Sequence, residues 1–368
     1  MRVRASALLL ALAVASCGTS GQQSHTPAPV KSPTPPALTA RPLANVYVHY
    51  YLWWTVGHWH SKLGPSYPYS QPSPPRPGAI NSVGCQPTVK FPGATIVDLP
   101  GEGLYDQALA ATFDRHIAAA AAAGIRGFLA SWKGSGQASQ DPGVPGYDQR
   151  LELLVARVNA YNRTHSKHFG LGLALAAFGD YNRSAADITG DLAYFSQRYG
   201  KDPAFKNDYS AKPVVMWLDS RKYKVETVRD VSTAARPSVY LLGDETATSW
   251  PRDSPFLDGT SYYWSTQNPQ SRFSRSSIAS LAAAVHAAGK PWLAPFIAGY
   301  NKELAGGGCV PRNGTRTLDD IWAQNATSQP DGWFGISWNE FVENTYIEPS
   351  QAYGTTYLDE LKRLISVG

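Results

Sequence analysis

The chain has 368 residues, of which 43% are hydrophobic and 12% are aromatic, enough apolar side chains to bury a sizeable core. Its formal net charge is +5, from 33 Lys and Arg against 28 Asp and Glu, and no Lys/Arg-rich run occurs, which argues against a nucleic-acid partner. The 11 Trp and 20 Tyr stand out, because aromatic faces with polar edges suit sugar rings, although such residues also fill large cores.

Residues 1–17 have the pattern of a secretory signal. Arg2 and Arg4 precede an apolar run at 7–15, which is too short to span a bilayer permanently. The run ends in VASC, which resembles a bacterial lipobox, so Cys17 is predicted to carry lipid; an ordinary signal peptide with a chance Cys is the alternative. We therefore expect an exported protein that a lipid anchor holds at the extracytoplasmic face of the cell membrane.

Residues 18–43 are rich in Pro, Ser and Thr and nearly lack aliphatic side chains, which predicts a disordered tether. The folded domain is predicted at residues 44–368. Once Cys17 is set aside, Cys85 and Cys309 remain, and an even number of cysteines in an exported chain favours a disulfide between them.

Eight apolar, β-rich runs follow the tether and alternate with helical patterns. Strands are predicted at residues 45–51, 126–132, 169–176, 212–219, 238–244, 259–264, 292–300 and 333–340. Helices are predicted at 105–123, 147–162, 185–199, 225–233, 276–288, 318–325 and 356–365, so only the fifth gap between strands lacks a clear helix. Eight such units predict a (β/α)8 TIM barrel. A doubly wound open sheet is the alternative, but no dinucleotide or phosphate-binding loop supports it, and no cofactor is predicted.

Residues at strand ends are the candidates for the site, because catalytic groups of such barrels lie at the C-terminal face. The predicted strand ends are aromatic and acidic, which suits a neutral polyhydroxylated ligand. Asp219, Asp244 and Asp258 either bind sugar hydroxyls or satisfy loop backbone. The substrate-binding candidates at strand ends are Tyr50, Tyr51, Trp53, Trp132, Asp180, Tyr262, Trp264, Tyr300 and Asn339.

Glu340 and Glu343 follow the eighth strand and form the sharpest signal. Cleaving a glycosidic bond needs one group that protonates the leaving oxygen and another that assists at the anomeric carbon, and two carboxylates of different pKa supply both. The alternative is that one Glu caps the next segment or forms a surface ion pair. His58 and His60 lack a clear third ligand, so no metal is predicted.

The run SWNEFVENTYIEPS at 337–350 resembles the Asn-Glu-Trp-x-Glu-Gly-Thr-x-Ile-Glu run of glycoside hydrolase family 99, the retaining endo-α-1,2-mannosidases and endo-mannanases, with related barrels in family 71. HYYLWW followed by HWH, AGIRGFLASW, LDGTSYYW and PFIAGYN are also similar to segments of that family, in the same order. The resemblance covers nearly all of the chain after the tether. It implies a (β/α)8 hydrolase that acts inside α-linked glycans with retention of configuration and without a metal.

The resemblance also implies roles for residues. Glu340 matches the base that acts on the sugar's own 2-hydroxyl, which then attacks the anomeric carbon, and Glu343 matches the acid that later acts as base. His58 and Trp59 are added as substrate contacts. The chain departs from the family at FVEN, where the family has Trp-His-Glu-Gly, and at ALAAFGDYN, where it has a His-x-Glu-Pro-Tyr run.

The sequence thus predicts a monomeric, lipid-anchored, endo-acting glycoside hydrolase whose partner is an α-linked oligo- or polysaccharide, most similar to α-mannan. A glycan-binding surface lipoprotein that keeps the barrel without turnover is the alternative from another class. The presence of both motif carboxylates favours the enzyme, because a binding protein has no need of the acid.

Overall fold

All eight predicted strands are present in the computed structural model, which describes residues 45–69, 71, 73–136, 146–176 and 183–367. The predicted signal and tether, Cys17 and Asp180 lie outside the described residues. The strands are β1 Asn45–Tyr50, β2 Gly127–Trp132, β3 Gly170–Ala176, β4 Val214–Leu218, β5 Tyr240–Asp244, β6 Gly259–Ser261, β7 Leu293–Phe296 and β8 Gly332–Gly335.

The strands close into a barrel. Consecutive strands pair in parallel from β1 to β6 and from β7 to β8, and β8 pairs in parallel with β1. A parallel bridge between Thr260 and Trp292 joins β6 to β7, where the amide of Thr260 donates to the carbonyl of Pro291 at 3.2 Å. The predicted (β/α)8 barrel is confirmed, and the open sheet is excluded because each strand has a neighbour on both sides.

Helices lie in the gaps between strands and cover the sheet. They are α1 Val56–Leu63, α2 Ala110–Ala122, α3 Tyr147–Thr164, α4 Ala185–Tyr199, α5 Val225–Ala235, α6 Trp250–Asp253, α7 Arg272–Ala287, α8 Arg316–Ala326 and α9 Thr356–Val367. The fifth gap, without a clear helix in the sequence, holds α6 and a 3-10 turn at Ser254–Phe256. Four residues are too few for a helical period to show. Within the described ranges, no helix is long and apolar enough to cross a membrane.

Helix α1 was not predicted from the sequence. It begins after Thr55, whose hydroxyl oxygen accepts a hydrogen bond from the amide of His58 at 3.2 Å. It ends at Gly64, whose φ of 80° and close approach to the carbonyl of Pro92 leave no room for a Cβ. Eight residues that include Gly57 carry a weak helical pattern, although capping and burial of Trp59 stabilise the helix in the fold.

A second hydrophobic core lies apart from the main core of the barrel. It joins the long β1–α2 connection to the segment after β8. Its buried members are Trp54, Trp59, Leu63, Tyr67, Ile96, Leu99, Tyr105, Phe341 and Tyr346. The indoles of Trp54 and Trp59 stack with centroids 3.8 Å apart, and the Phe341 ring meets both edge-on. This packing holds the motif that follows β8 against the chain that leaves β1.

The predicted disulfide between Cys85 and Cys309 is confirmed, with Cα atoms 6.0 Å apart. Cys309 belongs to a two-residue strand, Cys309–Val310, that pairs antiparallel with Tyr300–Asn301. The bridge therefore ties the β1–α2 connection to the connection after β7. Since β1 and β7 are the two neighbours of β8, both connections stand beside the segment that carries Glu340 and Glu343.

Candidate active site

A cavity of about 350 Å³ opens at the carboxyl ends of the strands and contains both motif carboxylates. Its walls come from the ends of β1 to β4 and from the segments after β7 and β8, as expected for the functional face of such a barrel. The lining residues are His49, Tyr51, Trp53, His58, Lys62, Ser131, Lys133, Ala176, Leu218, Lys302, Glu340, Val342 and Glu343.

Glu340 is buried at the edge of this cavity, with 2% of its surface exposed. One carboxyl oxygen, Oε1, accepts hydrogen bonds from the amides of Val342 at 2.7 Å and Glu343 at 3.2 Å. Burial, together with the negative charge of Glu343, raises the pKa of Glu340 to about 8, against the opposing effect of the two amides and of Lys302. Because Oε1 already accepts two hydrogen bonds, Oε2 is the oxygen that can exchange a proton with a ligand.

Glu343 forms an ion pair with Lys302, whose Nζ lies 2.9 Å from its Oε1. Its other oxygen, Oε2, is buried and has no hydrogen-bond partner within the described part of the chain. The carbonyl of Glu343 accepts a hydrogen bond from the amide of Asn301 at 2.7 Å. The segment that is tied by the disulfide thus contacts both the side chain and the backbone of Glu343.

Arg312 holds the segment that follows Glu343 in place. Its buried guanidinium donates to the carbonyls of Asn344 at 2.7 Å and Tyr346 at 2.9 Å. It also lies over the rings of Tyr346, Tyr353 and Tyr357, 4.2 to 4.8 Å from their centroids. A charged group held by carbonyls and ring faces fixes the loop, so the two carboxylates are preorganised before a ligand binds.

An aromatic wall, defined by Tyr51, Trp53 and His58, lines one side of the cavity. The ring of Trp53 stacks on Tyr51 with centroids 4.2 Å apart and on His58 at 5.4 Å, with interplanar angles of 22° and 19°. The hydroxyl of Tyr51 shares a 2.7 Å hydrogen bond with that of Tyr263. The structure thus brings three of the predicted substrate contacts to one surface.

Tyr50 and Trp132 were predicted as contacts, but the structure places both in the core, outside the cavity lining. Tyr50 donates to or accepts from Nδ1 of His116 on α2 at 2.7 Å, and Trp132 packs against Phe195 on α4. Side chains alternate across a strand, so the neighbours of these residues in sequence face the cavity instead.

Trp59 and Asn339 were also predicted as contacts and have structural positions instead. Trp59 belongs to the second core and donates its indole N–H to the carbonyl of Tyr105 at 2.7 Å. Asn339 is fully buried; its amide group accepts from the backbone N–H of Tyr51 at 2.8 Å and donates to the backbone carbonyl of Tyr51 at 3.0 Å. It therefore orients the aromatic wall without lining the cavity.

Tyr262, Trp264 and Tyr300 do not line the cavity either. Tyr262 and Trp264 lie next to each other on the segment after β6, with centroids 5.0 Å apart, and Arg221 lies over the ring of Tyr262. Tyr300 is 8% exposed, in the short strand that pairs with Cys309–Val310. These three predicted contacts therefore lie outside the cavity lining.

For Asp244 and Asp258 the structure supports the backbone role, whereas the carboxylate of Asp219 pairs with Arg221 and Lys222. Asp244 accepts hydrogen bonds from the amides of Asp219 and Tyr263, both at 2.8 Å. Asp258 accepts from the amide of Leu241 at 2.8 Å and pairs with an arginine that follows α5. None of the three aspartates lines the cavity.

Lys62, Lys133 and Lys302 line the cavity together with Glu340 and Glu343, so its described lining contains basic as well as acidic side chains. Lys133 is 6% exposed, and its ammonium lies 5.7 Å from the ring centroid of Trp53. Sequence inspection missed all three, because a lysine after a strand or in a short helix reads like any surface lysine. Lys133 directly follows β2, and Lys302 directly follows the Tyr300–Asn301 strand. These positions at strand ends could have indicated that both lysines lie at the functional face of the barrel.

His49 was missed as well. It lies on the floor of the cavity, 1% exposed, with its ring 4.3 Å from that of Tyr51. Neither ring nitrogen has a hydrogen-bond partner in the described ranges, and burial lowers the pKa of His49 to about 3. His49 lies two residues before Tyr51, so the two side chains point to the same face of an extended chain, and this spacing could have indicated that His49 faces the cavity.

Lowering the pH should destabilise the protein through His49. Its pKa in the fold, about 3, lies below the ordinary value of 6.5, so between these values the unfolded chain binds a proton that the folded protein excludes. Stability is therefore lost as pH falls below 6.5, by about 2 kcal/mol at pH 5. His49→Phe should lose that much less free energy of unfolding than the wild type between pH 7 and pH 5, measured by urea denaturation. In the control variant His60→Phe, at an exposed position, the free energy of unfolding should fall between pH 7 and pH 5 as much as in the wild type. An equally large fall in His49→Phe and the wild type would contradict the prediction.

In the described portion of the chain, no three His, Cys, Asp or Glu side chains form a group that could hold a metal ion. The ring of His60 lies against that of Tyr69, with centroids 3.6 Å apart, and the ring of His58 belongs to the aromatic wall. The two histidines therefore take part in separate aromatic contacts.

No protein-family profile and no curated protein sequence matches this chain. Its fold is similar to that of the GH99 endo-alpha-mannosidase from Bacteroides thetaiotaomicron, with a TM-score of 0.65 and 18% identity over 88% of this chain and 97% of that one. The same enzyme in complex with Bis-Tris propane gives 0.66 and 17%, over 88% and 96%. A glycoside hydrolase-like protein gives 0.58 and 16%, over 91% and 97%. The resemblance to a family 99-like barrel is thereby confirmed at the level of the fold.

Proposed function

We propose that this protein is a retaining, endo-acting glycoside hydrolase that cleaves α-linked glycans of the α-mannan type. The observation that carries the proposal is the placement of Glu340 and Glu343 in one cavity, each with one oxygen held by the protein and the other available. An aromatic wall beside them offers ring faces for a sugar. The shared fold with an endo-alpha-mannosidase supports the same reaction class.

The two carboxylates take the roles that the sequence resemblance implies. Glu340 accepts the proton of the sugar's 2-hydroxyl as that oxygen attacks the anomeric carbon, while Glu343 protonates the leaving oxygen, which yields an anhydro-sugar. Water then opens the anhydro-sugar and gives its proton to Glu343, and the 2-oxygen recovers a proton from Glu340. The amides of Val342 and Glu343 stabilise the carboxylate form of Glu340 while its proton is on the sugar.

The protonation of the pair constrains this chemistry. Near neutral pH the raised pKa of Glu340 keeps it mainly protonated, while the carboxylate of Glu343 is paired with Lys302. The first step needs a proton on Glu343 and a carboxylate at Glu340, so substrate binding next to Glu340 has to favour the carboxylate form of that residue.

Product analysis tests the function. The purified protein is incubated with a panel of bacterial and yeast α-mannans and α-glucans, and the products are identified by mass spectrometry. Release of oligosaccharides, with initial products of unchanged anomeric configuration by NMR, is expected from at least one α-linked glycan. Binding without any product would assign the chain to the alternative, a glycan-binding protein, and absence of both would overturn the proposal.

We also propose that lipid on Cys17 anchors the protein at the extracytoplasmic face of the membrane, because the apolar run and the VASC sequence fit a lipobox. Cys17→Ala should move the protein from the membrane fraction to the soluble fraction, since attachment depends on the buried acyl chains. Membrane fractionation followed by immunoblotting measures this. A Cys17→Ala variant that stays with the membranes as the wild type does would contradict the lipid anchor.

A further inference from the structure

A third carboxyl group of the motif, that of Glu348, is buried and does not line the cavity. Glu348 is 4% exposed, and its backbone amide donates to the carbonyl of Trp338 at 3.0 Å. The chain after Glu343 thus returns to the start of the same motif. Burying a carboxyl group costs free energy unless hydrogen bonds compensate it, so the contacts of Glu348 indicate what the group does.

The side chain of Glu348 accepts a hydrogen bond from the hydroxyl of Tyr105, whose oxygen lies 3.1 Å from Oε1. The same hydroxyl oxygen accepts from the side-chain amide of Asn339 at 3.3 Å. A hydroxyl has a single proton, so while Tyr105 donates to Glu348 it can only accept from Asn339. Glu348 thereby turns the nitrogen of the Asn339 amide, and not its oxygen, toward Tyr105.

The orientation of the Asn339 amide decides how it holds the aromatic wall. Its oxygen accepts from the backbone N–H of Tyr51 at 2.8 Å, and its nitrogen donates to the backbone carbonyl of Tyr51 at 3.0 Å. A reversed amide would set donor against donor and acceptor against acceptor, and both hydrogen bonds would be lost. Asn339 directly precedes Glu340, so these bonds hold Tyr51 beside the catalytic segment.

The other oxygen of Glu348 faces helix α2. Oε2 lies 3.5 Å from Nε2 of His116, and that nitrogen lies 2.8 Å from Oε1 of Glu102. Burial raises the pKa of Glu348 well above its usual range, which favours the uncharged acid, whose Oε1 still accepts from Tyr105. A neutral amide keeps the same acceptor, so Gln is the conservative replacement for Glu348.

We propose that Glu348 is a positioning residue for glycoside hydrolysis, which holds the aromatic wall in place through Tyr105 and Asn339. Glu348 does not touch the sugar, and its effect on the reaction passes through the backbone of Tyr51. The inference rests on the proposed function for the contact between sugar and wall, whereas the hydrogen bonds that carry it do not depend on any substrate.

Amide hydrogen exchange tests these hydrogen bonds in the protein alone. Glu348→Met keeps the length of the side chain and removes the acceptor, so the backbone N–H of Tyr51 should exchange about tenfold faster than in the wild type, measured by NMR. Tyr105→Phe removes the hydroxyl and should have the same effect. Glu348→Gln should exchange as the wild type does.

Kinetics test the positioning role, on yeast α-mannan or on the glycan of the panel that the wild type cleaves best. Glu348→Met should lower kcat/KM by about tenfold, chiefly through a higher KM because the wall binds the sugar, and Glu348→Gln should keep at least about half of it. Adding Tyr105→Phe to Glu348→Met should cause no further loss, since both substitutions break one contact.

Tyr199→Phe is the matched control. Tyr199 on α4 is also buried, and its hydroxyl also donates to a carboxylate, that of Asp148 at 3.4 Å. Tyr199→Phe should lower the Tm and leave both kcat/KM and the exchange of Tyr51 unchanged. Tyr105→Phe keeps the test valid if Glu348→Met fails to fold.

The outcomes separate this inference from the proposed function. Unchanged exchange of Tyr51 in both Glu348→Met and Tyr105→Phe would overturn the inference, whether or not the protein is a hydrolase. Faster exchange with unchanged kcat/KM would overturn it as well. A wild type that binds but does not cleave the panel would overturn the hydrolase; the Kd from calorimetry then replaces kcat/KM, and a Kd that Glu348→Met leaves unchanged would overturn the positioning role. No binding of any glycan would overturn both.

Discussion

Glu340→Gln and Glu343→Gln should each lower kcat on the cleaved glycan by about 100-fold to 10,000-fold while the fold survives. Gln keeps the volume of Glu, so no cavity forms, and in Glu340→Gln the side-chain amide oxygen would still accept from the backbone N–H groups of Val342 and Glu343. What is lost is the proton transfer. Steady-state kinetics measure the loss, and circular dichroism with thermal unfolding shows that each variant is folded.

The matched control is Glu245→Gln. Glu245 is also fully buried, and burial likewise raises its pKa to about 8. However, its carboxyl group accepts a hydrogen bond from the hydroxyl of Ser220, and it does not line the cavity. Glu245→Gln should therefore retain turnover.

An aryl glycoside with a good leaving group separates the roles of the two catalytic carboxylates, because its departure needs no acid. With this substrate, Glu343→Gln should regain the rate of the first step, and Glu340→Gln should not. Unchanged hydrolysis by both Glu340→Gln and Glu343→Gln would contradict the assignment of Glu340 and Glu343 as the catalytic pair.

The pH dependence of the wild type provides a further measure of the same pair. Above the pKa of about 8 that Glu340 has in the free enzyme, Glu340 loses a proton that the proposed reaction passes to the leaving oxygen through Glu343. We therefore expect kcat/KM to fall as pH rises through about 8. An activity that stays constant up to pH 10 would show that this proton is not used.

Removing the disulfide should reduce both stability and substrate affinity. The bridge joins residues 224 positions apart, and constraint of the unfolded chain could contribute about 5 kcal/mol at most. It also holds the two loops that contact the site: the side-chain amide of Asn301 donates to the carbonyl of Gly84 at 2.9 Å, and Lys302 next to it pairs with Glu343. Cys85→Ser with Cys309→Ser should thus lower the Tm and raise the Kd for the glycan.

Reduction of the wild-type protein should reproduce both effects, and the double variant should show no further change on addition of reductant. The Tm is measured by calorimetry. The Kd is measured by titration of the Glu340→Gln protein, whose turnover is strongly reduced, with and without the two cysteine substitutions. A bridge that only stiffens surface loops would lower the Tm and leave the Kd unchanged, and that result would contradict the link to Glu343.

Much of the fold could be predicted from the sequence, because parallel strands buried on both faces appear as continuous apolar runs. The strand at 169–176 and the helix at 185–199 match the observed Gly170–Ala176 and Ala185–Tyr199 closely. The pairing of Cys85 with Cys309 followed from counting. Helices α1 and α6 were not predicted from the sequence, because helices of eight and four residues depend on caps and tertiary burial for their stability.

The sequence by itself determined that Glu340 and Glu343 belong to one site, because both lie in one short segment after a strand. Only the tertiary structure decided which neighbours face the cavity. Tyr51 lines the cavity and Tyr50 the core, since the side-chain direction alternates at every residue and the closed barrel sets which face is inside. The lysines at 62, 133 and 302 are far apart in sequence, and closure of the barrel brings them together. The presence of these lysines in the cavity lining therefore follows from the fold, because no local pattern relates these three positions.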